Sequence, residues 1–140
     1  MTPESALFLH KAREFVLKAQ EALARWPDEA GRASYLAAFH AAQAFIFEQT
    51  GNVLKSHSGL RGRFGQLIKD DPRFDVDLRS FLGRAANLKA IADYETGPGS
   101  EISPERAARA VQTAGRFVEF IAGLLPANGM APPSAPEDQP

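Results

Sequence analysis

The chain contains no cysteine, which removes disulfides, thiolate nucleophiles and cysteine-based zinc or iron–sulfur centres at once. Its three histidines, His10, His40 and His57, lie far apart and form no HExxH pair, so no metal site is expected. Charge of neither sign predominates, with 16 Lys and Arg against 17 Asp and Glu in 140 residues. Attraction to nucleic acid or anionic lipid therefore has to come from a local patch. The start, "MTPESALFLHKAREF", has no signal-peptide core, and nowhere is there a run of about twenty apolar residues. A cytoplasmic location with no membrane contact is the expectation. Also missing are a GxxxxGK[ST] phosphate loop, a GxGxxG after a strand, a GxSxG elbow and the kinase signatures. Most familiar catalytic scaffolds are thereby excluded, and no cofactor is expected.

What is present is helical periodicity. Thr2 and Pro3 are suited to cap and start a helix whose apolar residues recur at Phe8, Ala12, Phe15, Ala19, Ala22 and Trp26. Pro27 and Asp28 interrupt it. A second helix then runs to Gly51, apolar on nearly every side, as the central helix of a bundle would be. "LRGRFGQLIKDD" reads as a shorter piece weakened by Gly62 and Gly65, hence a mobile or ligand-shaped element. "DVDLRSFLGRAANLKAIADYET" is a long helix ended by "GPGS". Ser103 and Pro104 open the last one, with Val111, Ala114, Val118, Ile121 and Leu125 on its apolar face. Strand alternation is absent. The fold class is all-α, an up-and-down bundle of four long helices plus one short helix over residues 1–126. Residues 127–140, "ANGMAPPSAPEDQP", read as a disordered Pro-rich tail with few apolar anchors. Phe45, Phe47, Phe117 and Phe120 exceed what one apolar stripe needs, which suggests a helix-to-helix homodimer face.

The best local patch is "LKSHSGLRGRF", Leu54 to Phe64, where Lys55, Arg61 and Arg63 surround His57. Ser56 or Ser58 can cap the following helix, leaving free N–H groups beside cationic side chains, a combination suited to anions. His57 and Arg61 are four apart and share a face if the helix starts early. The alternative is a solvated basic loop whose Ser–His pair only caps a helix. His40, inside "AAFHAAQAF", is either a hydrogen-bonded core histidine or an imidazole facing a cleft, where its pKa suits proton transfer. Lys89 and Asp93 are either an ordinary i,i+4 pair or, with Tyr94, part of a polar site. Arg32 lies eight residues before His40, about 12 Å along the helix, too far for direct cooperation within one chain.

Taken in order, "RASYLAAFHAAQAFIFEQTG", "KSHSGLRGRF" and "LKAIADYE" resemble the HEPN superfamily (higher eukaryotes and prokaryotes nucleotide-binding), in its small single-domain prokaryotic branch. That branch shows an Arg-x-x-Tyr-Tyr-Ala-x-Phe-His segment, a Lys-Thr/Ser-His-x-Gly segment and an Arg-x-x-Ala-Asp-Tyr segment. Arg32, Tyr35, Phe39, His40, Lys55, His57, Gly59, Asp93 and Tyr94 match it. Leu36 replaces the second Tyr, and Lys89 stands for the Arg, keeping charge but losing the planar fork.

The resemblance implies a helical bundle that often dimerises and is often paired with a minimal nucleotidyltransferase in a toxin–antitoxin-like system. Active members are metal-independent ribonucleases that place an Arg a short spacer before a His, the His handling the 2′-hydroxyl proton and the Arg the phosphate charge. No such Arg–His spacing occurs here.

The leading expectation is thus a HEPN-like module that binds a nucleotidyltransferase-type partner and nucleotide or RNA, without robust catalysis. Its binding residues are Lys55, Ser56, His57, Arg61, Arg63, Lys89, Asp93 and Tyr94. The alternatives are an atypical ribonuclease toxin drawing on His57, His40, Arg61 or Arg32, and a structural helical scaffold.

Overall fold

The computed structural model describes residues 1–126, and among these all regular structure is helical: α1 (Pro3–Ala22), α2 (Pro27–Thr50), α3 (His57–Ile68), α4 (Val76–Tyr94) and α5 (Pro104–Leu124). The expected all-α bundle of four longer helices and one shorter one is what is found. The Pro-rich segment 127–140 lies outside the described residues.

The helix ends follow from local chemistry. Thr2, Ser56, Asp75 and Ser103 each sit in extended conformation with a side-chain oxygen accepting from the backbone N–H three residues on. Pro occupies the start of α1, α2 and α5, where its missing N–H costs nothing. Gly51 ends α2 at φ 77°, a left-handed conformation that a side chain would resist. Helix α1 stops at Ala22 rather than continuing to Trp26, its last residues turning before Pro27. Asp28 then accepts the backbone N–H of Ile102 at 2.7 Å, pinning the α4–α5 connection to the start of α2.

Helix α2 touches all four others and buries Ala30, Ala33, Ala37, Ala38, Ala41, Ala42 and Ala44. Around its C-terminal half the core is aromatic, Phe45, Phe64, Phe74, Phe81 and Phe117 meeting at ring separations of 5.6 to 6.1 Å. Around its N-terminal half the packing is small and close. A Cβ at Gly31 would lie 2.8 Å from Ile102 Cδ1 and 3.5 Å from Leu88 Cβ, so the missing side chain sets that approach.

The short helical piece expected over "LRGRFGQLIKDD" does not lose its packing to the glycines. Helix α3 starts at His57 and drives Leu60, Phe64 and Ile68 into the core, while Gly62 and Gly65 face open space where no packing is lost. Arg79 of α4 also caps its end, donating to the carbonyls of Ile68, Lys69, Asp71 and Phe74. Nor are the four phenylalanines spare. Phe45 and Phe117 are 2% and 0% exposed, Phe47 packs on Phe8, and Phe120 packs edge-on against Phe74. Phe45 and Phe117 are thus closed to a second subunit, while Phe47 and Phe120 are half-buried.

Candidate functional site

Tyr35 on α2 is 1% exposed, and a buried phenol requires a hydrogen-bond partner. It has two. Arg61 of α3 donates from Nη1 to Tyr35 Oη at 3.2 Å, and Tyr35 Oη lies 2.8 Å from His57 Nδ1. Arg61 has only protons to give, so it occupies an acceptor site on Oη, and the phenolic hydrogen goes to the one acceptor in reach among the described residues, His57 Nδ1. The neutral imidazole then carries its proton on Nε2. The ring also packs on Phe39, with centroids 4.6 Å apart. Burial against these groups, followed by the Lys89 and Arg61 charges, holds the His57 pKa below the ordinary histidine value.

Helix geometry accounts for the convergence. Tyr35 and Phe39 are one turn apart on α2, and His57 and Arg61 one turn apart on α3, so one face of each helix meets the other. Ser56 fixes where α3 begins by accepting the Gly59 N–H at 3.2 Å.

Beside this relay, Asp93 of α4 accepts from Lys89 Nζ at 2.5 Å and from Arg32 Nε of α2 at 3.1 Å. The Lys89 hydrogen bond leads, with Arg32 adding, in keeping the Asp93 carboxyl below its usual pKa. Arg32 also pairs with Glu29 at 3.5 Å. Lys89 thus joins both groups, bound to Asp93 and felt electrostatically by His57.

His40 sits on another side of Phe39 and stacks on Phe15 of α1 at 5.5 Å. Its Nδ1 is 2.7 Å from Gln43 Oε1, while Gln43 Nε2 donates to the Leu54 carbonyl at 3.0 Å. A carbonyl only accepts, so Gln43 must turn its amide toward Leu54 and its oxygen toward His40. His40 therefore carries its proton on Nδ1, leaving the Nε2 lone pair free. Burial lowers its pKa, the Gln43 bond opposes this in part, and Lys11 and His57 add to the lowering.

Of the residues proposed from sequence, His57, Arg61 and Lys89 converge, as do Lys89, Asp93 and Arg32. Ser56 acts as the α3 cap, and Lys55 is exposed just before it. Arg63 donates to Gln66 on an exposed part of α3, away from the relay. Tyr94 is 75% exposed and belongs to neither group. Tyr35, Phe39 and Gln43 read in sequence as core positions or family matches without a role. The available signal was the Tyr35 hydroxyl, a polar atom on a stripe otherwise destined for burial. Among the described residues no group of three His, Cys, Asp or Glu side chains could hold a metal ion. Among the described residues no helix is long and apolar enough to cross a membrane.

Tyr35, Phe39, His57 and Asp93, which carry the HEPN resemblance, gather where α2, α3 and α4 of this all-helical bundle meet. The chain belongs to that family: the family model for the HEPN domain matches residues 5–124. Among solved structures it is similar to TT1696 from Thermus thermophilus, known from a crystal structure. That similarity has a TM-score of 0.66 and 22% identity, covering 86% of this chain and 97% of the other. No curated protein matches the sequence.

Proposed function

We propose that this HEPN domain protein binds the phosphate of a nucleotide or RNA at the His57–Arg61–Lys89 face. In this reading it acts beside a nucleotidyltransferase-type partner in a toxin–antitoxin-like pair and has no robust catalysis of its own. The observation that carries the reading is the relay from Arg61 through Tyr35 to His57. With Nδ1 accepting from a buried phenol, the remaining imidazole nitrogen is a donor. A donor beside Lys89 and Arg61 suits a phosphate oxygen and does not suit removal of a 2′-hydroxyl proton. The Arg32 fork is also occupied by Asp93 and Glu29.

The test is titration of RNA and of nucleotides into the protein and its His57→Ala and Arg61→Ala variants. Each variant is expected to bind roughly tenfold more weakly, the loss of about one charge-assisted hydrogen bond. Unchanged affinity alongside a fall in melting temperature would make the cluster structural and refute the reading. Co-expression with a nucleotidyltransferase encoded next to this protein should yield a stable complex, and independent elution of the two rejects the pairing. For the chain itself a homodimer is proposed, which light scattering at micromolar concentration tests.

One observation favours a second reading, an atypical metal-independent ribonuclease. His40 and His57 both pack on Phe39 and present the same ring nitrogen in opposite states, a free Nε2 lone pair on His40 and an Nε2–H on His57. That is the polarity of a base and an acid. RNA cleavage abolished by His40→Ala would establish it, and no cleavage at any protein concentration would remove it.

A further inference from the structure

A groove of about 430 Å³ runs between α4 and α5 and includes no residue of the His57 cluster. Its charged lining is three guanidinium groups, Arg84, Arg106 and Arg109, against one carboxylate, Asp77. Arg84 is already committed, donating from Nη2 to the Asp77 carboxylate at 2.5 Å and to its carbonyl at 3.0 Å, with its guanidinium 5.6 Å from the Phe81 ring centroid. Asp77 is shared again, with Arg116 at 3.5 Å. Arg106 and Arg109 have neither a carboxylate nor a side-chain acceptor within bonding distance among the described residues. They lie one turn apart on α5, where like charges repel.

Both side chains are exposed, so water screens that repulsion, and an anion placed between them relieves what remains. The floor narrows the choice of anion. Phe81, Leu88 and Ala110 are 2%, 5% and 5% exposed, so these floor side chains leave little room for the bulky anchors of an amphipathic helix. A single carboxylate would occupy one guanidinium fork and leave the others unmatched. Linked phosphates supply several oxyanions in one compact group, and the planar fork fits each. Asn87 and Gln112, also at the rim, add neutral donors and acceptors of the kind that meet a nucleobase edge.

We propose that the α4–α5 groove is a second anion site that takes a ligand with two or more linked phosphates, held by Arg106 and Arg109 with Arg84 as the third cation. The same chemistry is found in free polyphosphates and in a phosphodiester strand, and binding separates the two. Inorganic tripolyphosphate, ATP and a single-stranded RNA oligonucleotide are titrated calorimetrically into the full chain, its Arg106→Gln/Arg109→Gln variant and its His57→Ala variant. The double variant is expected to weaken at least one ligand roughly tenfold or more, with affinity falling in salt, whereas His57→Ala removes only binding at the His57 site and leaves the groove's share of the binding stoichiometry intact. Loss confined to RNA identifies the strand as the source, and loss for tripolyphosphate or ATP identifies a free polyphosphate. Gln112→Glu, which adds a carboxylate to the rim, should weaken the same ligand and serves if the double variant is poorly folded. No measurable binding by the unmodified chain, or affinities unchanged in both groove variants, would overturn the proposal. Failure of the His57 site would show instead as insensitivity to His57→Ala and leaves this result standing.

Discussion

The two halves of the bundle are held together by opposite means. Around the C-terminal half of α2, large aromatic rings from four helices and the α3–α4 connection fill the interior. Around its N-terminal half, Ala19, Ala22, Ala30, Ala33, Ala107 and Ala110 let helices approach with little between them but Leu88, Ile102 and Val111. The first half is vulnerable to loss of volume, the second to gain of it. The site lies between them: Tyr35 belongs to the aromatic half, while Arg32 and Asp93 sit over the close-packed one. Its geometry depends on both kinds of packing.

The sharpest test of that contrast is Phe117→Ala. It removes a ring that is fully buried against Phe64 and Phe81, and should cost about 3–5 kcal/mol in urea unfolding. Gly31→Leu is the complementary change, expected to destabilise by about 1–3 kcal/mol through overpacking against Ile102 and Leu88. A Gly31→Leu protein as stable as the parent would break the comparison. Tyr35→Phe, at the seam, removes only the relay hydroxyl. About 1 kcal/mol of stability and a measurable part of phosphate affinity should go together, since Arg61 and His57 lose their common partner.

Acidification probes the same seam. His40 and His57 both titrate below the unfolded histidine value of about 6.5, so the unfolded chain takes up protons first. Their contribution to stability is complete above that pH and is lost as pH falls through the depressed folded values. Phosphate affinity should move the other way over the same range, because a protonated His57 adds charge to the site. Smallest of all is Arg13→Ala, which breaks the bidentate pair with Glu119. Both partners are at least half exposed, so under about 1 kcal/mol is expected.

Much of the architecture is legible without coordinates because it rests on local rules. Thr2, Pro3, Gly51, Ser103 and Pro104 act at the ends where such residues are chemically required. Burial of individual phenylalanines is not legible in this way. Phe45 and Phe117 fall on helices that carry more apolar residues than one face needs, and only the crossing of α2, α3 and α5 decides which go inside. The basic stretch around His57 shows in the sequence as charge, whereas its organisation does not. That depends on Tyr35, 22 residues earlier, whose role follows from the contact between α2 and α3. Arg106 and Arg109 likewise look like ordinary helix-surface charges until α4 is placed beside them.

Gln43 carries a consequence of its own. One side chain holds both the tautomer of His40 and the carbonyl of Leu54, two residues before the cap of α3. The 51–56 connection is thereby fastened to an imidazole rather than to another stretch of backbone. Because the proton shared with Gln43 sits on Nδ1, a second proton taken up at Nε2 leaves that bond in place, so the first turn of α3 stays fastened whichever charge the imidazole carries.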